Sequence, residues 1–151
     1  MLISWPSGPT IIEFASLVQA NKEGILRGRL IAVDPGISAG YAIYEKGKLV
    51  ENDVCKVDPN LDMGARCHKL AKFFRNKGKF DVFVIEQIRG NMAHVYLKFA
   101  IGAIIGGSRA DARLEIPIRV WQALREDDYK KTDKKDAELM GQATILLAKG
   151  R

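Results

Sequence analysis

The stretch that decides the fold is LIAVDPGISAGYAIY, from Leu30 to Tyr44. Its first part is a continuous apolar run, which is typical of a strand buried on both faces, and the run stops at Asp34. Pro35 and Gly36 then favour a sharp turn, after which an apolar segment resumes. The stretch therefore predicts two strands, with a carboxylate at the exit of the first.

The segments around this stretch predict an α/β domain. RLIAVDPG is the first strand, and AGYAIYEKGKLVENDVCKV contains two more that join at residues 46–48, so the sheet begins as an antiparallel meander. A helix over 61–77, the strand FDVFVIEQ, a helix over 91–107, the strand LEIPIRVW and a helix in KKTDKKDAELMGQATILLAKG follow. This order indicates a mixed sheet that becomes parallel across helical crossovers.

An N-terminal extension, residues 1–28, is predicted to precede a domain over residues 29–151. Thr10 and Glu13 have the spacing of a capping box, a broad apolar stripe predicts one amphipathic helix over 10–23, and Gly24 is expected to end it. Two interpretations of this helix stay open. It packs on the domain's own core, or it contacts a second subunit or DNA.

Composition is that of a basic globular domain. The chain has 151 residues, 47% of them hydrophobic, which is enough for one core. Lys and Arg outnumber Asp and Glu by 24 to 18, and the net charge of +6 is compatible with a polyanionic partner. Cys55 and Cys67 fit neither a disulfide framework nor a zinc cluster, and no signal peptide or membrane span is evident. We therefore expect a soluble, cytoplasmic protein.

Four carboxylates carry the chemistry of this sequence. Asp34 and Glu86 each end an apolar strand, and Asp133 and Asp136 form an i, i+3 pair at the start of the last helix. Carboxylates brought together raise one another's pKa unless a cation compensates, and oxygen ligands without His or Cys favour Mg²⁺ or Mn²⁺. Two such ions support phosphodiester hydrolysis. Asp34 alone could be only a turn former, and Asp133 and Asp136 only helix-start residues. Glu86 is harder to dismiss, because a Glu that ends an apolar strand is costly to bury unpaired. The joint pattern therefore carries the prediction.

Three motifs, IAVDPGISAGYAIY, DVFVIEQ and DKKDA, occur in this order and resemble the acidic motifs of the RuvC family of Holliday junction resolvases, in the RNase H-like superfamily. The similarity extends over about residues 29–149. It implies an α/β RNase H-like fold with a five-stranded mixed sheet in the order 3-2-1-4-5, a homodimer, and paired Mg²⁺-dependent nicks across a four-way DNA junction. The catalytic residues and ligands of two Mg²⁺ ions, for which Mn²⁺ is expected to substitute, would be Asp34, Glu86, Asp133 and Asp136.

The resemblance indicates a dimer contact, and the local charge indicates DNA contacts. Where the family presents an aromatic residue after the second motif, this chain has Arg89, which could stack on bases or bind phosphate. The helix over 91–107 resembles the family's dimer helix. The N-terminal helix is outside the family pattern, which suggests a divergent, phage-type member. The lysines expected to contact DNA phosphates surround the third motif and are Lys130, Lys131, Lys134 and Lys135.

Two other functions stay open at this point: an RNase H-like nuclease that acts on flaps or RNA, and a non-catalytic DNA-binding module of the same fold. A membrane or small-molecule partner is not expected. An ATPase of the sugar-kinase and actin type needs a second phosphate-binding lobe, for which 151 residues leave no room.

Overall fold

The computed structural model describes residues 3–36, 38–87 and 95–151, with residues 95 and 96 described by their backbone alone. Its strands are β1 (Arg29–Asp34), β2 (Ala39–Glu45), β3 (Lys48–Cys55), β4 (Lys79–Glu86) and β5 (Arg109–Ile116). Its helices are α1 (Pro9–Ala20), α2 (Lys22–Arg27), α3 (Met63–Arg75), α4 (Val95–Gly107), α5 (Ile118–Gln122) and α6 (Asp133–Ala148). The described part of the chain is thus an α/β domain.

The five strands form one sheet in the order β3-β2-β1-β4-β5, which confirms the expected order. β1 and β2 pair antiparallel, as do β2 and β3, whereas β1, β4 and β5 run parallel. Lys46 and Gly47 both have positive φ, 52° and 77°, which suits the tight hairpin between β2 and β3. The mixed sheet arises because a short hairpin reverses the chain, whereas helical crossovers restore its direction.

Helices cover both faces of the sheet. Alternate residues of β1 point to opposite sides: Leu30 and Ala32 join the core formed with α1, α2, α5 and α6. Ile31 and Val33 join the second core, formed with α3 and α4. No helix in the described residues has the length and apolarity needed to cross a membrane.

The N-terminal helices pack on the domain itself. Phe14, Val18 and Ile25 are buried in the same core as β1 and α6, which favours the first of the two interpretations of this segment. The expected start and end of the helix were wrong. Gly8 occupies the N-cap position, with Pro9 as the first helical residue, because proline suits a position whose N–H has no helical partner.

Gly24 also has a different role from the one expected. It lies inside α2, and a Cβ there would lie 3.2 Å from Cγ2 of Val82, so its small size allows α2 to approach β4. The helix instead breaks between Ala20 and Lys22.

The segment around Pro117 was also predicted wrongly. Strand β5 begins at Arg109, earlier than expected, and ends at Ile116, where Pro117 becomes the N-cap of the short helix α5. Proline at this place ends the sheet hydrogen bonding and leaves Val120 and Trp121 buried from a helix rather than a strand. Of the predicted helix over 91–107, residues 95–107 are helical and residues 91–94 lie outside the described residues.

Candidate active site

The site begins with two neighbouring strand ends. Parallel pairing sets Val33 beside Ile85, so the next residues, Asp34 and Glu86, emerge side by side from β1 and β4. Because side chains alternate along a strand, both carboxylates share the face of Ala32 and Val84, which is the face that α6 covers. The expected meeting of these two acids is thus confirmed.

Helix α6 adds the third element. Thr132 caps it by accepting a hydrogen bond from the Lys135 backbone N–H, at 3.2 Å, and Asp133 and Asp136 follow in its first turn. The two acids differ in environment, since Asp136 is 2% exposed and Asp133 lies on the surface. The helix therefore delivers one acid into the interior and one at its rim.

Gly40 allows α6 to come this close. It pairs with Asp34 across β1 and β2. A Cβ at Gly40 would overlap the backbone carbonyl of Asp133 and lie 2.6 Å from the backbone nitrogen of Lys134, so no larger residue fits without moving the helix. The first turn of α6 is thus seated directly against the strand that neighbours Asp34.

Asn52, on β3, fixes the same turn from the other side. Its side-chain amide donates to the Lys134 carbonyl at 2.8 Å and to the Tyr41 carbonyl at 2.9 Å. One side chain therefore ties the start of α6 to the sheet. Farther along, Tyr44 donates to the Glu138 carbonyl at 2.7 Å, and its ring occupies the space that a Cβ at Gly141 would need.

The carboxylates interact electrostatically. Burial, followed by the charges of Glu86, Asp136 and Asp133, raises the pKa of Asp34 from 3.8 to about 8. Burial first, and the charge of Asp136 second, also raise the pKa of Glu86. Burial raises the pKa of Asp136. Three segments distant in sequence thus place their acids in one electrostatic environment.

This cluster has the donor chemistry that a hard divalent cation prefers. Its donors are carboxylate oxygens, and one of them, Oδ1 of Asp136, is buried with no hydrogen-bond partner in the described part of the chain. A buried oxygen without a hydrogen bond and raised carboxyl pKa values both indicate that nearby positive charge does not balance the negative charge of the cluster. Among the residues described, however, no group of three or more His, Cys, Asp or Glu side chains could hold a metal ion as they stand. The acids are neighbours rather than a closed ligand set.

The four lysines near the third motif are all exposed but not equivalent. The charge of Lys131 lowers the pKa of Asp34 and of Glu86, so this side chain lies within electrostatic reach of the acids. Lys135 lies 3.7 Å from Glu138, in an ion pair within α6. Lys130 and Lys134 are exposed beside them. Arg89, the other expected DNA contact, lies outside the described residues.

Sequence reasoning missed one charged member of this neighbourhood. Arg125 lies in the loop after α5, 3.8 Å from Oδ1 of Asp136, and its charge lowers the pKa of Asp136 and of Glu86. The only trace in the sequence is the spacing of four positions that separates Trp121, Arg125 and Tyr129. That spacing had no interpretation, because the segment between α5 and α6 is irregular.

Comparisons with known proteins place this fold. No family model matches the sequence, and no curated protein matches it. Among solved structures, the chain is similar to T. thermophilus RuvC in complex with Holliday junction substrate, with a TM-score of 0.60, 12% identity, and coverage of 81% of this chain and 96% of that chain. A second Thermus thermophilus RuvC structure gives a TM-score of 0.54 and 14% identity over 82% of this chain and 95% of that chain. The RNase H-like fold of RuvC is thereby confirmed.

Proposed function

We propose that this protein is a structure-selective endonuclease that resolves four-way DNA junctions by paired, metal-dependent phosphodiester hydrolysis. The observation that carries the proposal is the convergence of Asp34, Glu86 and Asp136, from two strand ends and one helix, in the fold of RuvC. The two similar structures support it, since one of them is RuvC in complex with Holliday junction substrate.

In this proposal the four acids hold two Mg²⁺ ions, for which Mn²⁺ substitutes. Such ions, when bound, supply water activation and stabilise charge on the leaving oxygen. Asp34 and Glu86 would provide ligands from the centre of the sheet, and Asp136 would provide Oδ1, which has no hydrogen-bond partner among the described residues. Asp133, at the exposed rim, would complete the ligand set.

DNA binding is proposed for the lysines that border the acids, and for Arg89. Lys131 is the best placed, since its charge reaches Asp34 and Glu86, and it would draw the scissile phosphate toward them. Lys130, Lys134 and Lys135 would contact neighbouring phosphates. Binding through phosphate contacts is sensitive to salt and tolerant of sequence, as recognition of a branched shape requires.

A homodimer through α4 is part of the proposal, because paired nicks need two active sites. Phe99 on this helix is 57% exposed, and a Cβ at Gly102 or Gly106 would meet no atom of the described residues within 4 Å. Gly107 instead packs against the backbone of Ala71 in α3. One side of α4 is thus used within the domain, whereas the side with Gly102 and Gly106 is open to a partner helix. The division into a 1–28 extension and a 29–151 domain, and a cytoplasmic location, stay predictions.

The test is cleavage of a labelled four-way junction beside a linear duplex of the same sequence, in Mg²⁺ and in EDTA. We expect paired symmetric nicks in the junction alone, lost in EDTA. Asp34→Asn and Glu86→Gln should abolish cleavage and leave junction binding largely intact. Asp111→Asn is the matched control, because this exposed acid pairs with Lys79 at the opposite end of the sheet.

Each other result has a clear meaning. Cleavage retained in both variants would refute the assignment of the site. Binding without cleavage by the native protein would support a non-catalytic module. Preferential cleavage of flaps or RNA would identify a nuclease of the same fold with another substrate.

A further inference from the structure

An arginine beside the acids is held in place by two aromatic rings. The guanidinium carbon of Arg125 lies 4.8 Å from the ring centroid of Trp121 and 4.6 Å from that of Tyr129. Its Nη2 atom lies 3.8 Å from Oδ1 of Asp136. Cation–π contacts of this length position a guanidinium without using its hydrogen-bond donors. The cation is therefore set against the cluster by packing.

Three buried polar side-chain atoms around this arginine make no hydrogen bond to the described residues. Nε1 of Trp121, the Tyr129 hydroxyl and Oδ1 of Asp136 are buried, and none has a hydrogen-bond partner within the described residues. The distance from Arg125 to Asp136 is that of an ion pair but is too long for a hydrogen bond. Charge rather than directed bonding thus couples Arg125 to Asp136, and no hydrogen bond from the described residues holds Oδ1 of the carboxylate.

We propose that Arg125 is the resident counter-cation of the acidic cluster, with which a divalent ion must compete. The inference rests on the proposed metal-dependent function. An arginine suits this role because it stays charged at every pH at which the protein is folded. Since the rings, and not the carboxylate, hold the guanidinium, the cation stays in place when Asp136 turns toward a metal ion.

This arrangement has two opposite consequences. Without metal, the positive charge offsets repulsion among the carboxylates and stabilises the fold. With metal, the same charge repels a second cation and weakens its binding. Removing the charge should therefore lower the stability of the metal-free protein and strengthen Mg²⁺ binding. If Arg125 only supported the fold, its removal would lower both the stability and the affinity for Mg²⁺.

The first experiment compares Arg125→Met with the native protein in the absence of DNA. Methionine keeps an apolar stem between the two rings and removes the charge. Isothermal titration with MgCl₂ should show about tenfold tighter binding in the variant, the size expected for one partly screened charge near the ion. The melting temperature in EDTA should fall, and the rise on adding Mg²⁺ should be larger than in the native protein. Arg75→Met, an exposed residue of α3 on the other face of the sheet, makes the same change in net charge and should alter neither value.

A second measurement keeps Arg125 and therefore does not depend on whether Arg125→Met folds. Trp5→Phe leaves Trp121 as the single tryptophan, since the chain has two. Mg²⁺ should shift the emission of Trp121, because Arg125 stays on its ring while the Asp136 carboxylate that offsets this positive charge turns away. No shift at a Mg²⁺ concentration that saturates the calorimetric site would overturn the proposal.

The outcomes separate this inference from the proposed function. Native protein that binds Mg²⁺, together with an Arg125→Met protein of equal or weaker affinity, would refute the counter-cation and leave the nuclease proposal intact. Native protein that binds neither Mg²⁺ nor Mn²⁺ would refute the metal site and the counter-cation together.

Discussion

Replacing Asp34 with asparagine tests whether the acidic cluster is under electrostatic stress when no metal is bound. The Asp34 carboxyl is 8% exposed, and burial together with the neighbouring carboxylates raises its pKa from 3.8 to about 8. Asparagine has nearly the same shape and does not titrate. Because Asp34 is already neutral in the folded protein between pH 5 and 7, the variant should change its neighbours little in this range.

The size of the effect follows from proton linkage. Between pH 5 and 7 the unfolded chain has lost the Asp34 proton, whereas the folded protein retains it, since its pKa is about 8. The folded state thus binds one more proton, so its stability falls as the pH rises, by about 1.4 kcal/mol per pH unit. Over these two units the loss is about 2.7 kcal/mol. Asp34→Asn removes this proton uptake. Between pH 5 and 7 the variant should therefore lose about 2.7 kcal/mol less unfolding free energy than the native protein.

The assay is urea unfolding followed by circular dichroism in EDTA at pH 5, 6 and 7, for the native protein, Asp34→Asn and the exposed control Asp111→Asn. We expect Asp34→Asn to become the more stable protein toward pH 7, whereas the control should follow the native slope. In saturating Mg²⁺ the order should reverse, because only the native site binds the ion fully. Equal slopes for native protein and Asp34→Asn in EDTA would refute the reasoning, since Asp34 would then be ionised without a metal.

Four further expectations address the seat of α6, the DNA contact and the dimer. Gly40→Ala should destabilise the protein by about 2 kcal/mol and weaken Mg²⁺ binding, because the added Cβ overlaps the first turn of α6. Urea unfolding measures the stability and calorimetry measures the Mg²⁺ affinity. Asn52→Ala loses two hydrogen bonds and should cost about 1–2 kcal/mol in the same assay, and an unchanged midpoint would show that this clamp is not needed. Lys131→Gln should reduce the salt dependence of junction binding by about one phosphate contact, and an unchanged slope would exclude that contact. Phe99→Asp should yield monomers in light scattering, unlike Leu49→Asp, a control on the exposed edge of the sheet.

The strands that carry the site could be predicted because their sequences leave little alternative. β1 and β4 are apolar runs of strand length, rich in β-branched residues, that stop at a carboxylate, which is typical of a strand buried on both faces. The order of the strands came from the resemblance, since local pattern does not fix which strands become neighbours, and the observed sheet confirms it. The meeting of Asp34 with Glu86 was predicted from two strands that each end in a carboxylate, and the observed register sets these strand ends side by side.

The errors lie where one local signal competed with another. Pro117 follows an apolar strand and precedes an apolar segment, and a run this short does not distinguish a strand from a helix. At the N-terminus the capping-box spacing of Thr10 was outweighed by Pro9, which is favourable at the first helical position. The role of Gly40 could not be predicted either, because a close approach between a strand and a distant helix leaves no mark in the local sequence.

The electrostatics of the site bear on the choice between an enzyme and a non-catalytic module. Carboxylates whose pKa values are raised by burial destabilise the folded chain at neutral pH, and Arg125 offsets this cost only in part. A module that binds DNA through its lysines would gain stability by replacing Asp34 or Glu86 with an amide, and it would also reduce repulsion between these acids and the DNA. The chain instead keeps the acids and seats α6 against Gly40 to add Asp136. These costs favour the proposed nuclease over the non-catalytic module, because a divalent cation held by the acids would offset both of them.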